Sequence, residues 1–381
     1  MSKIRFFKVS SFYSEYLVWF CKQHPTLSSL SYDDQLKSFV NDCYGWADFW
    51  KINLEKTGYY DVFECFTNAE SLQKQWAKEH DFKFSEQNWS LEILVQQISE
   101  FKPHILFINN FFVLGSSFTK IIKKQCPEIK LIIGWDGSNI NDPEKFEDCD
   151  LILSCTEDIT HFYSTHGFKV YLFQFGFEKS ILSKLTPAKK KYKLSFVGSL
   201  FLGQELHDKR FHQIADLAKR TQLNIFSSNH DSNWQPYKYP QRQRIYHGRF
   251  KEFWDIYNIG RKWKGEAYGL KMYNILANSK ITINSHGDKV HKAANMRLFE
   301  STGAGSCLVT DWKSNLHELF EIDKEVIAYK SIEECIEKIK WLLANEKELE
   351  AIAKAGQRRT LENYSFEIRI KEFSNFLLKQ I

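Results

Sequence analysis

The stretch from Asn295 to Asp311 limits the fold of this chain more than any other. A short helix-forming run (Met296 to Ser301) reaches Gly303 and Gly305 and passes at once into the apolar, strand-forming Cys307, Leu308 and Val309. Such a helix, turn and buried strand make a corner of an α/β domain, and Asn295, Arg297 and Glu300 place polar groups on it. Helix N-termini attract phosphate, and a carboxylate near such a helix can hold a ribose diol. An isolated pattern of this kind is also an ordinary surface turn with an incidental Glu.

The neighbouring sequence supports the α/β reading. Gly269 to Lys280 is an amphipathic helix with Leu270, Tyr273, Ile275 and Leu276 apolar, and it runs into the strand Ile281 to Asn284. Downstream, Ser331 stands as N-cap of a helix carrying Ile332, Cys335, Ile336, Ile339, Leu342 and Leu343, with Glu334 in the capping-box position. In the N-terminal half, strands are expected at Ile4 to Val9, Tyr60 to Phe66, His104 to Ile108, Lys130 to Ile133, Asp150 to Leu153 and Val170 to Leu172. A helix from Leu91 to Phe101 is stopped by Pro103. Alternating strands and helices imply parallel, doubly wound sheets whose ligands gather at the carboxyl ends of the strands.

From Gly269 to Tyr364 the chain resembles the nucleotide-sugar-binding C-terminal domain of GT-B glycosyltransferases, in particular the bacterial spore-maturation-protein-like (CgeB-like) group with a family-1-type C-terminal domain. The resemblance is carried by Lys271, Met272 and Tyr273; Ser279 to Ile281; Asn284 to His286; Asn295 to Glu300; Gly303, Gly305, Thr310 and Asp311; the segment Asn315 to Tyr329; and Ile352 to Gly356. It is close over the C-terminal half and loose over the N-terminal half. It implies two Rossmann-like domains facing a cleft: residues 1–185 for the acceptor, residues 190–364 for the donor, and a C-terminal helix, 365–381, crossing back to the first domain. It also implies that Glu300 grips the donor ribose while the preceding backbone and basic side chains face the diphosphate. Many retaining members carry a second Glu eight positions earlier; Lys292 stands there, so the sugar and the stereochemical course stay open.

The expected donor site comprises Gly198, Ser199, Lys271, His286, Lys292, Asn295, Arg297 and Glu300. Gly198 and Ser199 close the strand that opens the second domain, before a helix from about His207 to Arg220. His286, Lys289, His291 and Lys292 precede a helix N-terminus, where both dipole and side chains favour an anion. Arg297 is the first choice to meet the charge released on transfer, with Lys271 and Lys292 behind it. Tyr13, Asn68, Asn109, Asn110, Asp136 and Thr156 follow strand ends and are candidates to hold the acceptor. Asp136 is the candidate catalytic base if the reaction inverts, although Asp136 followed by Gly137 after a strand is also an ordinary turn.

At 381 residues the chain suits two domains. A formal charge of +5 does not by itself call for nucleic acid, so the aromatic and basic stretch from Asn229 to Lys264 is set aside as a nucleic-acid surface. The eight cysteines form no C-x-x-C pair, which points to neither zinc nor a disulfide framework and suits a reducing cytoplasm. No run reaches the ~18 apolar residues of a membrane span, and no secretory leader is evident. The cluster Lys189, Lys190, Lys191 and Lys193 leaves attachment to the inner membrane face open beside the plainer reading of a solvated linker. No Asp-x-Asp pair occurs at a strand end, so no metal and no cofactor is expected beyond a UDP- or GDP-linked donor. The expected activity is metal-independent transfer of a sugar from a nucleotide diphosphate to a hydroxyl of a surface glycan, glycolipid or glycoprotein precursor. A non-hydrolysing sugar-nucleotide epimerase and a non-catalytic binding or assembly protein are the alternatives. Oligomeric state, base, sugar and acceptor are not legible.

Overall fold

The computed structural model describes residues 3–137, 142–186, 189–202, 208–228, 250–287 and 291–381. The chain divides into two compact units, one made of Met1–Phe175 with Phe366–Ile381 and the other of Gly176–Ser365. The expected positions His207 and Lys289, and residues 229–249 of the aromatic and basic stretch, lie outside the described residues.

The first unit holds the strands β1 (Ile4–Ser10), β2 (Tyr60–Phe66), β3 (Ile105–Ile108), β4 (Leu131–Trp135), β5 (Leu151–Ser154) and β6 (Val170–Leu172) in the order β2-β1-β3-β4-β5-β6. All neighbours run parallel. Strands this short and apolar suit a sheet buried on both faces. One face packs Phe7, Val9, Leu106, Ile108 and Ile132 against helices bearing Leu94, Ile98 and Ile122. On the other, Trp50 of the helix Phe49–Lys56 lies against Phe6, Phe107 and Phe173 with centroids 6.3, 4.9 and 4.6 Å away. The terminal helix Phe366–Leu377 closes that face: its Phe373 meets Trp50 at 5.6 Å and its Phe366 meets Phe173 at 6.0 Å. The helices Tyr32–Asn41 and Phe49–Lys56 have no counterpart among the sequence expectations, although Tyr32, Leu36, Phe39 and Val40 form an apolar stripe behind the N-cap Ser31; Phe49–Lys56 spans only eight residues, too few for a clear period.

The second unit holds β7 (Tyr192–Val197), β8 (Asn224–Phe226), β9 (Ser279–Asn284), β10 (Cys307–Asp311) and β11 (Ile327–Tyr329) in the order β11-β10-β9-β7-β8. This sheet is also parallel. Its core joins Leu194, Phe196, Ile281, Ile283, Cys307 and Val309 to Phe211, Ile214, Ile336 and Ile339 from the flanking helices. The Ser331 hydroxyl accepts from Glu334 N at 3.2 Å, and the Glu334 carboxylate takes the N–H of Lys330 at 2.8 Å. The capping box therefore closes one residue earlier than its usual form.

In each sheet the strand order reverses beside the first strand, between β1 and β3 in one unit and between β7 and β9 in the other. Ligands of open α/β sheets bind where the order reverses, at the carboxyl ends. Phe177 opens the second unit, its N–H donating to Tyr364 O at 2.9 Å and its ring covering Gly303. The two glycines of the corner serve different ends. Gly305 has φ +81°, a left-handed turn that other residues enter at a cost, whereas Gly303 is helical and makes room for Phe177. A Cβ on Gly303 would lie 2.3 Å from the Phe177 ring. Gly303→Ala is expected to destabilise the second unit by about 1–3 kcal/mol, as overpacking does. Faster hydrogen exchange of the β9 and β10 amides in the variant would show this within the second unit.

All eight cysteines are free, and burial pushes the Cys307 thiol up to about 12. Among the described residues no helix is long and apolar enough to cross a membrane.

Candidate functional site

The corner foreseen at Asn295 to Asp311 is built on the adjacent strands β9 and β10, with Asn284 paired in register with Thr310. Past β9 the chain runs through Ser285 and His286 to the helix Met296–Gly303. Asn295 occupies the N-cap in extended conformation (φ −82°, ψ 152°), yet its side chain makes no cap hydrogen bond. Its amide pairs instead with that of Asn284: Asn295 Nδ2 donates to Asn284 Oδ1 at 2.8 Å, and Asn284 Nδ2 donates to Asn295 Oδ1 at 3.3 Å. Asn284 Nδ2 also donates to Thr310 Oγ1 at 2.9 Å. The Asn295 side chain thus ties the helix start to the strand ends, and a helix start of this kind favours an anion. The loop before it is held by Asn315, which takes the Ala293 N–H at 2.6 Å and returns a bond to Ala293 O at 3.2 Å.

Helical spacing puts Arg297 and Glu300 on one face. Arg297 Nη1 lies 2.9 Å from Glu300 Oε2, and the Tyr273 hydroxyl donates to Glu300 Oε1 at 3.3 Å. The Glu300 side chain is 7% exposed and that of Arg297 16%. A carboxylate has about four lone-pair sites, so these two partners leave acceptor capacity for a diol. Arg297 Nη1 also approaches Met272 Sδ at 3.0 Å, which places the guanidinium over the helix Gly269–Ala277. Lys271 on that helix is exposed, and Lys292 is partly exposed.

His286 and Asp311 form the second cluster. One oxygen of Asp311, Oδ1, accepts both the His286 N–H at 3.0 Å and the ring Nδ1 at 2.7 Å, while Oδ2 lies 3.3 Å from Lys313 Nζ. Burial by itself would push the Asp311 carboxyl up, but the hydrogen bond and charge of His286, with Lys313, hold it below the usual range. His286 is 3% exposed, and its Nε2 is buried without a hydrogen-bond partner among the described residues. The sequence reading named His286 as a candidate but gave Asp311 no role. Residues so far apart in sequence show no spacing signal, and only the pairing of β9 with β10 brings them together.

Gly198 and Ser199 follow β7 at the reversal point and are partly exposed. The Gly198 N–H donates to Phe226 O at 3.1 Å, so that amide serves the sheet. In the lysine cluster, Lys190 turns inward: its Nζ donates to Ser279 O at 3.2 Å and Gly305 O at 2.5 Å, and burial lowers its pKa.

In the first unit the candidates separate. Tyr13 is 71% exposed. The Asn68 amide is taken up by the Phe12 backbone, accepting from Phe12 N at 2.9 Å and donating to Phe12 O at 2.7 Å. Asn110 donates to Ser11 Oγ at 2.8 Å, and Thr156 caps the helix Glu157–Thr165. Asn109 keeps a buried Oδ1 without a partner among the described residues. Asp136 is fully buried and accepts from the Tyr163 hydroxyl at 2.9 Å. Burial, followed by the Asp136 charge, pushes that phenol up. A base must reach the proton it removes, so Asp136 would first have to part from Tyr163.

Near the same strand ends lies a group absent from the sequence reading. Lys8 of β1 and Glu64 of β2 form a buried ion pair at 3.5 Å, and Lys8 Nζ lies 5.7 Å from the Trp46 ring. Trp46 also meets Trp135 edge-on at 4.9 Å and Phe175 at 6.1 Å. A lysine inside an apolar strand carries no local sign that it is buried.

Residues 209–375 match the family described as Glycosyl transferase-like. A search of curated proteins finds no significant match. Among solved structures, the chain is similar to HepE of Anabaena in complex with UDP and glucose, with TM-score 0.59 and 11% identity over 99% of this chain and 100% of that one. It is similar to a glycosyltransferase from Rickettsia africae, with TM-score 0.58 and 9% identity over 100% and 99% of the two chains. It is likewise similar to the sucrose-phosphate synthase of Thermosynechococcus elongatus, with TM-score 0.57 and 9% identity over 99% of each. The architecture is the GT-B fold, and the second unit with the terminal helix carries the glycosyl transferase-like region.

Proposed function

We propose that the protein is a glycosyltransferase that moves a sugar from a nucleotide-diphosphate donor to an acceptor hydroxyl, with the donor held by the second unit. The observation that carries this reading is the Arg297, Glu300 and Tyr273 cluster at the helix that follows the reversal point. One carboxylate there is already oriented and has acceptor capacity left, beside a guanidinium suited to phosphate. The family match over residues 209–375 and the UDP bound by HepE of Anabaena support it. Glu300 binds the ribose diol; Arg297, Lys271, Lys292, His286 and the helix amides meet the diphosphate; and Asn295, Gly198 and Ser199 shape the floor. The charge released on transfer is met by these groups without a metal ion. Tyr13, Asn109 and Asp136 stand on the acceptor side, with Asn68 holding the loop that carries Tyr13. The acceptor is a glycan, glycolipid or glycoprotein precursor of the cell surface, modified in the cytoplasm or at the inner membrane face, and the protein belongs with the spore-maturation-protein-like group.

A thermal-shift panel of UDP, GDP and their sugars tests the donor assignment, because a ligand specific to the native state raises the melting temperature. At a hundredfold excess over Kd the gain is about 2.7 kcal/mol, or ~5–11 °C for a unit of this size. No shift with any nucleotide diphosphate would overturn the reading. Incubating the sugar nucleotide that binds without acceptor separates transfer from epimerisation, since only an epimerase converts the donor alone.

A further inference from the structure

We infer that binding of the donor diphosphate is coupled to uptake of one proton by His286, and that Asp311 is the positioning residue that causes the coupling. The inference rests on the donor assignment above and adds a response to pH that the assignment does not require. It starts from an asymmetry in the imidazole. Nδ1 and the backbone N–H of His286 both converge on Asp311 Oδ1, at 2.7 and 3.0 Å, so the backbone bond holds the carboxylate in place and a turn of the ring would lose the Nδ1 bond to it. With Nδ1–H committed to Asp311, Nε2 of a neutral ring is an acceptor, and it is buried without a partner among the described residues. A buried polar atom without a partner costs about 1–3 kcal/mol.

A phosphate oxygen brought to that atom has no hydrogen to offer at neutral pH, and two acceptors face to face repel. Adding a proton to Nε2 turns the clash into a charge-assisted hydrogen bond. The atoms balance simply: the proton comes from solvent or buffer, Nε2–H donates to a non-bridging oxygen of the nucleoside diphosphate, and Nδ1–H stays on Asp311. The resulting imidazolium lies between two anions, the phosphate and Asp311. Histidine is the side chain whose ordinary titration falls in this pH region.

The charged and titratable groups around the ring pull in both directions. From the end of β10 come Asp311, which favours the cation, and Lys313, which opposes it and is itself drawn to Asp311 Oδ2 at 3.3 Å. From the helix Asp208–Arg220, Arg210 Nη1 donates to Ser285 O at 3.4 Å and also opposes. From β11, the Tyr329 hydroxyl is neutral, raised by burial and donating to Asn284 O at 3.1 Å. His291 and Lys292 follow along the loop itself. Among the described residues the anion at the ring is Asp311, which is shared with Lys313, and the diphosphate supplies a further one.

The experiment is calorimetry of UDP and of GDP binding to the full chain at about pH 8, in two buffers of different ionisation heat, where a terminal phosphate with second pKa near 6 is already ionised. Expected for the wild type is uptake approaching one proton, with affinity falling up to about tenfold per pH unit as pH rises. His286→Gln should abolish the uptake and flatten the pH profile while still binding. Asp311→Asn, which keeps an acceptor for the ring Nδ1–H, should weaken binding and reduce the proton uptake, and the reduced uptake is a readout that a merely structural role would not move. Binding by the wild type without proton uptake, or uptake that persists in His286→Gln, overturns the inference and leaves the donor assignment standing. Failure of both nucleotides to bind overturns the donor assignment and the inference with it.

Discussion

Lys8→Met is expected to cost the first unit about 3–5 kcal/mol at alkaline pH, where Glu64 must ionise in the interior without its partner. Lys8 and Glu64 have side chains 1% and 3% exposed, and their N···O distance of 3.5 Å is no more than a moderate ion pair. Burial pushes the Glu64 carboxyl up to about 7 even with Lys8 beside it, Asp48 adding to the rise, and burial lowers the Lys8 pKa despite Glu64. The Lys51 N–H on Glu64 Oε1 at 3.2 Å helps the carboxylate, while Oε2 has no partner among the described residues.

The sign of the pH dependence follows from proton binding. An unfolded Glu titrates near 4.3, so between there and about 7 the native state holds the Glu64 proton more tightly than the unfolded state, and this group's contribution to stability falls as pH rises. Without Lys8 the carboxyl shifts further up, and the decline extends to higher pH. Lys8→Met should therefore be mild in acid and severe in alkali. The double variant Lys8→Met with Glu64→Leu should recover most of the loss, since apolar pairs of similar volume often replace a buried ion pair at little cost. Hydrogen exchange of the β1 and β2 amides measures this within the first unit, which bulk denaturation of a two-unit chain need not resolve. A double variant no better than the single one would show that packing of the Lys8 stem, and not its charge, was what mattered.

Glu300→Ala is expected to weaken nucleotide-diphosphate binding by about 1–3 kcal/mol, the loss that follows removal of a charged hydrogen-bond acceptor. That is ~5- to 150-fold in Kd. The geometry provides a discriminating control. If the carboxylate grips the ribose, a 2′,3′-dideoxyribose nucleotide should bind the wild type and Glu300→Ala alike, and only the ordinary nucleotide should separate them. If Glu300 serves merely to orient Arg297 at 2.9 Å, both nucleotides should lose affinity equally, through the diphosphate. The variant also frees the buried Tyr273 hydroxyl from its bond to Glu300, so Glu300→Gln, which keeps an acceptor there, should bind better than Glu300→Ala without restoring full affinity. Equal affinity of the wild type and Glu300→Ala for the ordinary nucleotide would remove the ribose role.

Much of the fold was readable because it rests on local signals. β2 and β6 lie where the apolar runs Tyr60 to Phe66 and Val170 to Leu172 placed them, and Ser331 caps its helix as its hydroxyl and the following Glu suggested. The short strands β8 and β11 were harder: three residues of apolar sequence do not distinguish a strand from a loop. Within the candidate site, Arg297 and Glu300 were legible together because three residues of helix put them on one face. Asp136 shows the opposite case. Its place after a strand suggested chemistry, whereas the structure gives its carboxylate to Tyr163.

The sequence alone determined that strands and helices alternate, where the glycine corner lies and which polar residues share the helix after it, because periodicity and turn chemistry act over a few residues. Only the tertiary structure decided that Gly303 is small for Phe177, that Lys190 is spent on backbone carbonyls, that Lys8 and Glu64 are buried together, and that Asp311 fixes the His286 ring. Those facts depend on which strands become neighbours and what covers them. Burial and pairing across a sheet leave no mark on the residues adjacent in the chain.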